Sequence, residues 1–391
     1  MDTNSLAKDI QQDVISWRRD LHQIPEIGLD LEHTSSYIRA KLDEFGITYR
    51  RAAKTGVVAL IAGEEPGPTL ALRADMDGLP IKEETGLSFA STNGNMHACG
   101  HDAHMAMLLG AARIIYGIRS RLRGNVKLLF QPGEEGYFGA ARMIDDGCLE
   151  DPVVDAVAGL HVGQIFPELA TGQVGVCEGP ILAASTRFEV TVKGNSTHGA
   201  LPHLGVDAIT IASEIILSLQ KIVSREMNPL CPVVLTIGQI QGGEAHNIIT
   251  PRVIFGGDFR TLYEEDRCFI TRRLTEICTS TAEANRAKAE VKMLGGYPST
   301  SNDPDFTKRL IKNASKVIGP ENIIEIKKPN MGTEDMSFYF GKVPGVFFVI
   351  GSGNKKKNIT YPHHNSKFDL DEDVLWIGPA VFTNLALDYL R

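Results

Sequence analysis

No apolar run in this sequence approaches the roughly 20 residues that a membrane-spanning helix needs. Its opening, "MDTNSLAKDIQQD", also lacks the apolar core of a secretory signal. No basic tract is longer than Lys355–Lys357, which follows "GSGN" and reads as a solvated loop. With a formal net charge of −8, neither nucleic acid nor an anionic membrane is expected as a partner. The six cysteines (Cys99, Cys148, Cys177, Cys231, Cys268 and Cys278) show no tight spacing. They are expected to be reduced thiols, and the expected compartment is the cytoplasm. There is no internal repeat and no low-complexity tract.

What is present is an ordinary globular composition, 43% hydrophobic and 23% charged, in a chain of 391 residues. That length exceeds what one hydrophobic core usually serves, so two domains are expected. Residues 10–46 show helical periodicity ending at Gly46. The runs "TGVVALIAG", "TLALRAD", "NVKLLFQP" and "DAVAGLHV" then read as strands, alternating with helical patterns such as "AHMAMLLGAARIIYGIR". Strands alternating with helices predict an α/β domain with a mostly parallel sheet and helices on both faces. Near residue 185 the pattern changes. "TRFEVTVKG" alternates with period two, "GVDAITIASEIILSLQKIVS" is an amphipathic helix, and "VVLTIGQIQGG" and "VIFGGDFRTL" are strands. A helix over about Glu264–Ala284 and the strand "KAEVKML" complete a β-α-β-β-α-β order, the ferredoxin-like arrangement. The α/β pattern then resumes. The expected division is a discontinuous catalytic domain, residues 1–184 and 295–391, with residues 185–294 as an inserted α+β domain.

The segment "NGNMHACGHDAHM" places Cys99, His97, His101, His104 and Asp102 within residues 93–105, in a chain with only 11 histidines. Other metal-type side chains fall at the C-terminal ends of the predicted α/β strands, where open α/β sheets place their ligands. These are Asp75 after "TLALRA", Glu134 and Glu135 after "NVKLLFQPG", His161 in "GLHV", and the histidines of "YPHHNSKFD" beyond "GVFFVIG". Any single buried histidine is usually a hydrogen-bonded core residue, and a lone cysteine usually a small hydrophobe. Repetition of the same placement at separate strand ends instead points to a metal site. A mixed thiolate, imidazole and carboxylate donor set suits Zn²⁺, Mn²⁺, Co²⁺ or Ni²⁺ rather than Mg²⁺ or Ca²⁺. The ligand surplus favours two metals sharing a bridging water, with one of the adjacent glutamates left as general base. A Cys–His nucleophile pair is the rival; no helix is evident to serve it as an oxyanion hole.

The segments "RADMDGLPIKEETG", "MHACGHDAHMAMLLGAA", "QPGEEG", "GLHV", "STHGALPHLGVDAI", "AHNIITP", "MGTEDMSFY" and "HHNSKFD" occur in this order across nearly the whole chain. In them the sequence resembles the dinuclear metallopeptidase/aminoacylase family (carboxypeptidase-G-like), in its branch of hippurate hydrolases, auxin-conjugate hydrolases and N-acetyl-diaminopimelate deacetylases. The resemblance implies two divalent transition-metal ions per subunit, held by Cys99, His101, Glu135, His161 and His364, with Glu134 as general base. His364 rather than His363 matches the family's last ligand. Asp75 falls in the segment that orients the metal-binding histidines. The resemblance further implies that His198 supports the oxyanion and that Asn247 and Arg260 meet the polar end of the substrate. It gives the inserted domain a lid and dimerisation role, with a homodimer in which His198 serves the partner subunit. Two departures are "GGDFRTL", where the family usually has G-T-V-R-T, and Ser366, where it has proline.

The expected function is therefore a metal-dependent amidohydrolase that cleaves N-acyl amino acids, small substrates with a free α-carboxylate, through a bridging hydroxide generated with Glu134. A dipeptidase, a carboxypeptidase or an N-acetyl-diaminopimelate deacetylase on the same scaffold is the enzymatic alternative. A non-catalytic binding protein on a decayed scaffold is the other, against which the intact "GEE" stands. His97 is left undecided, and His104 is expected on the helix behind the ligands.

Overall fold

The computed structural model describes residues 2–391. In chain order, helices α1 (Gln11–His22) and α2 (Glu32–Phe45) lead into strands β1 (Thr48–Ala52), β2 (Gly56–Ala62) and β3 (Glu65–Asp75). Helix α3 (His101–Gly117) and strands β4 (Arg123–Gln131), β5 (Ala156–Gly163) and β6 (Val174–Val176) follow. Next come β7 (Ala184–Lys193), α4 (Ala208–Lys221), β8 (Val233–Gly242), β9 (Arg252–Thr261), α5 (Glu264–Ala284) and β10 (Lys288–Met293). The chain closes with α6 (Pro304–Ile318), β11 (Ile323–Glu325), β12 (Gly345–Gly351) and α7 (Ile377–Tyr389).

Two compact units result. The first comprises the chain up to Ile181, Ser301–Asn330 and Asp335–Arg391. It holds an eight-stranded sheet in the order β1-β2-β4-β3-β5-β12-β6-β11. Its centre is parallel, β4 with β3, β3 with β5 and β5 with β12, and so is the edge pair β6 with β11. The remaining neighbours are antiparallel. Burial explains the sequence of β5, "AVAGLHVG": every residue is buried, as in a strand covered on both sides. Helix α3 is likewise buried along most of its length, with Met105, Leu108, Leu109 and Ile115 in the same core as Leu70, Leu72 and Phe348. The parallel strands therefore end together, and residues at those ends become neighbours.

The periodicity over residues 10–46 resolves into two helices, α1 and α2, not one. Pro25 and Gly28, the latter at φ +70°, interrupt it, because proline lacks the N–H a helix needs and glycine adopts that left-handed φ without steric cost. The end at Gly46 is as expected. Gly46 is left-handed, and the N–H of Ile47 reaches back to Leu42 O at 2.9 Å.

The second unit, Leu182–Thr300 with Met331–Glu334, has a four-stranded antiparallel sheet in the order β8-β9-β7-β10. Phe188, Val190, Phe255 and Phe259 on its strands pack with Ile211, Ile215 and Leu219 of α4 and Ile270 and Leu274 of α5. Each such side chain contributes about 1.5–3 kcal/mol by leaving water. The small segment Met331–Glu334 carries no periodic signal and joins this unit through contacts alone. All six cysteines are free, and among the described residues no helix is long and apolar enough to cross a membrane.

Candidate metal centre

Each candidate ligand of the first unit is placed by a local device. Gly100 adopts φ +84° immediately before α3. A Cβ there would sit 2.9 Å from Val162, so glycine lets the chain turn between Cys99 and His101 hard against β5. Strand β4 ends at Gln131, and the turn at Pro132–Gly133 delivers Glu134 and Glu135. Asp77, just beyond β3, fixes that turn. Its two carboxylate oxygens accept the backbone N–H groups of Glu134 at 3.1 Å and Glu135 at 3.0 Å. His364 takes φ +63°, unusual for a side chain of its size, and its N–H is held by Ala98 O at 2.9 Å.

The donor atoms then converge. Cys99, His101 and His161 form one group, Cys99, Glu135 and His364 a second, and His101, Glu134 and Glu135 a third, each with its ligand atoms within 4.8 Å of one another. Cys99 Sγ lies 3.5 Å from His161 Nε2, and His364 Nε2 lies 3.1 Å from Glu135 Oε1. All five ligands expected from the sequence, together with Glu134, thus stand in one cluster. Asp75, His101 and His104 make a fourth group.

Neighbouring contacts fix ring tautomers, since a neutral imidazole has one N–H. His161 Nδ1 donates to Val162 O at 2.7 Å, which leaves Nε2 as a lone pair on the Cys99 side. His104 Nε2 accepts the N–H of Val162 at 2.9 Å, so its Nδ1–H donates to Asp75 Oδ1 at 2.6 Å. His104 therefore ties the end of β5, where His161 sits, to the end of β3. It stands behind the ligands, as expected, but as a hydrogen-bonded strut.

The cluster carries a strong negative potential. Burial opposes ionisation of Asp75, yet His101, Arg73 and His104 hold its carboxyl well below the usual range. Burial pulls His101 down, and the carboxylates of Asp75, Asp77 and Glu135 outweigh it, raising the imidazole to about 10. Burial, Glu135, Glu134 and Asp75 push the Cys99 thiol well up. Burial, with His104 and His363, lowers His161. A cation is what such a field attracts. His101 supplies a second indication: it is buried, and neither ring nitrogen makes a hydrogen bond. Asp77 Oδ1 is 3.4 Å from Nδ1 and Asp75 Oδ2 is 3.6 Å from Nε2, close for charges but not bonded. A buried polar atom without a partner is costly, and a metal ion would satisfy it. The thiolate–imidazole–carboxylate set fits divalent transition metals.

His198, Asn247 and Arg260 belong to the second unit. His198 is exposed in the short strand Thr197–His198, paired with Ile248–Ile249. Its Nδ1 accepts the N–H of Ala200 at 3.0 Å, so Nε2 carries the proton. Asn247 adjoins it, its carbonyl accepting from Gly199 N at 2.7 Å. Arg260 is already engaged. Its Nε lies 3.2 Å from Asp258 Oδ1 and its Nη1 donates to Met331 O at 2.8 Å.

Asp77 and His363 went unassigned by the sequence reading. The two-residue spacing of Asp75 and Asp77 in "RADMD" is a signal for the first, putting both on one side of an extended segment. A second buried group was also missed. Asp102 binds Arg18 at 2.7 Å and His22 at 2.8 Å, and His22 Nε2 reaches Glu83 at 3.2 Å. His22 is buried with both nitrogens satisfied.

Residues 71–388 match the pattern of Peptidase family M20/M25/M40. The chain is 41% identical over 373 residues to an N-acetyl-L-cysteine deacetylase of Bacillus subtilis, covering 94% of this chain and 85% of that protein. It is 36% identical to a thermostable carboxypeptidase of Saccharolobus solfataricus, over 98% of this chain and 97% of the other. Among solved structures it is similar to a dinuclear metal binding peptidase of the M20 family from Bacillus subtilis. That match has 34% identity and a TM-score of 0.85, over 98% of this chain and 99% of the other.

Proposed function

The chain belongs to Peptidase family M20/M25/M40, a metal-dependent hydrolase of amide bonds, and from that premise we propose that its substrates are N-acyl amino acids. The observation that carries the metal-dependent reading is the convergence of Cys99, His101, Glu134, Glu135, His161 and His364, with the buried ring nitrogens of His101 unbonded, and the similarity to an N-acetyl-L-cysteine deacetylase supports the substrate class. Cys99, His101, Glu135, His161 and His364 would hold two divalent transition-metal ions, Mn²⁺, Zn²⁺, Co²⁺ or Ni²⁺. When bound, such ions polarise a carbonyl and lower the pKa of water. Glu134 takes the proton from the attacking water and returns it to the leaving amine. Asp77 holds Glu134 and Glu135 at their backbone N–H groups, so one carboxylate can act as base while its neighbour stays a ligand. His198, whose proton is on Nε2, is suited to donate to the oxyanion. Asn247 and Arg260 receive the substrate's carboxylate.

The second unit is read as a ferredoxin-like insertion serving as lid and dimerisation domain, residues 185–294, beside a catalytic domain of residues 1–184 and 295–391. The strand order β8-β9-β7-β10 and the position of β8 at the sheet edge, with Ile240 exposed, support this. We infer further a cytoplasmic homodimer in which His198 acts across the dimer. Mixing Glu134→Gln with His198→Ala subunits should then recover about a quarter of wild-type activity, since half the dimers are hybrids and one site in each is intact. No recovery, with hybrids confirmed by mass spectrometry, would refute action in trans.

The deciding experiment is a panel of N-acetyl, N-benzoyl and indole-acetyl amino acids with matched dipeptides, after chelation and re-addition of Mn²⁺, Co²⁺ or Zn²⁺. N-acyl amino acids should be cleaved with the higher kcat/KM, and turnover should return only with metal. Faster cleavage of peptides would favour a carboxypeptidase instead, the reading that the similarity to the Saccharolobus enzyme supports.

A further inference from the structure

We propose that His363 is a positioning residue for Cys99, its Nδ1–H donating a hydrogen bond to the Cys99 sulfur. The inference rests on the reading above, in which Cys99 is a thiolate ligand. The tautomer follows from the other side of the ring. Gln164 N–H donates to His363 Nε2 at 3.1 Å, so that nitrogen presents its lone pair and the single proton of the neutral ring sits on Nδ1. Nδ1 in turn lies 3.7 Å from Cys99 Sγ. The opposite tautomer would set two N–H groups against each other at Gln164 and a lone pair against the sulfur.

The ring is seated, not merely nearby. Gly163 ends β5 at φ +124°, and a Cβ on it would lie 2.0 Å from His363 Nε2, so any side chain there would displace the imidazole. Phe368 packs on the ring at 4.8 Å between centroids, and His161 meets it edge-on at 5.1 Å. The two adjacent histidines are thereby divided in role: His364 meets Glu135 and His363 meets Cys99. With Nε2 bonded to Gln164 and a proton on Nδ1, His363 has no lone pair to offer a metal. A donated N–H fixes the direction of the sulfur's lone pairs toward the metal, which favours binding, and draws charge from the sulfur, which leaves the metal a stronger Lewis acid. Partners of this kind behind ligands commonly govern metal affinity about 10- to 100-fold.

The test is the sulfur-to-metal charge-transfer band of the Co²⁺-loaded protein, a readout independent of turnover. His363→Phe keeps a ring against Phe368 but removes the N–H. The band should move to longer wavelength, and Co²⁺ affinity should fall by about 10- to 100-fold, with the same number of ions bound at saturation. His363→Leu should do the same, so the result does not hang on one variant folding. His363→Asn, which restores an N–H near the Nδ1 position, should bring the band back toward wild type. An unmoved band in both the Phe and Leu variants overturns the inference. So does loss of a whole metal equivalent at saturation, which would make His363 a ligand. If wild-type protein shows no such band, Cys99 is not bound to metal and the parent reading fails instead.

Discussion

Two buried histidine–carboxylate clusters lie on either side of the first turn of α3, and they differ in what they leave unfinished. Around Asp102, the Arg18 guanidinium and the His22 imidazole occupy the carboxylate, and Glu83 takes the other His22 nitrogen. Around His101, one residue earlier, the carboxylates of Asp75 and Asp77 crowd an imidazole that bonds to neither. In the first cluster every cation is bonded: Arg18 and His22 both meet Asp102 Oδ2, and only Asp102 Oδ1 is left without a partner. In the second, carboxylates surround an imidazole whose nitrogens they do not bond, beside other converging metal-type donors. His97 is the control. It is buried, and neither of its ring nitrogens has a hydrogen-bond partner. Burial holds its pKa down to about 3, so it stays neutral. Yet among the described residues it joins no converging set of three donors. An orphaned nitrogen alone does not mark a site; an orphan where other ligands converge does.

The comparison breaks or sharpens under mutation, and the largest effect belongs to the cluster around His101. Glu134→Gln should cut kcat by about 100- to 10,000-fold, the usual worth of a general base, while elemental analysis finds metal at the wild-type level. Glu135→Gln and Cys99→Ser should instead lower metal content, because each removes an anionic ligand of the proposed site. Equal metal content and equal residual activity in Glu134→Gln and Glu135→Gln would show the pair wrongly assigned.

The cluster around Asp102 should answer in stability. Arg18→Met leaves the Asp102 carboxylate buried beside fewer cations, and breaking a buried pair this way costs about 3–5 kcal/mol. Urea unfolding should show that loss, with metal stoichiometry unchanged in the folded protein. A drop in metal content at full stability would mean the two clusters are one functional unit.

The smallest effect is a pH slope. Burial lowers the His22 pKa, but Asp102 and the hydrogen bonds to Asp102 and Glu83 outweigh it and raise it above its ordinary value of about 6.5. A raised pKa means the folded state holds the proton more tightly than the unfolded chain. His22 thus contributes stability that is fully present below the unfolded pKa and lost as pH rises through the folded one. In metal-free protein, the stability difference between wild type and His22→Gln should shrink as pH rises from about 6 upward. A difference that is flat or grows with pH would show that His22 is buried neutral.

Sequence alone determined the scaffold and the metal-type residues placed on it. Strand periodicity located β3, β4 and β5, the glycine at Gly46 marked a helix end, and the residues capable of binding metal were visible as types at strand ends. These are properties of residues close in sequence, set by backbone geometry and by the exclusion of apolar side chains from water. Tertiary structure decided which of those side chains share a space and which are already spent. The Asp77 contacts to Glu134 and Glu135 join positions 57 and 58 residues apart, and the His363 contact to Cys99 spans 264. No local pattern encodes them. Residue type and burial do not separate His22 from His101, since both are buried imidazoles near acids. One difference distinguishes them: the partners of His22 meet it in hydrogen-bond geometry at 2.8 and 3.2 Å, while those of His101, at 3.4 and 3.6 Å, do not. That gap is fixed by the packing of α3 against the parallel strands, and only the folded chain supplies it.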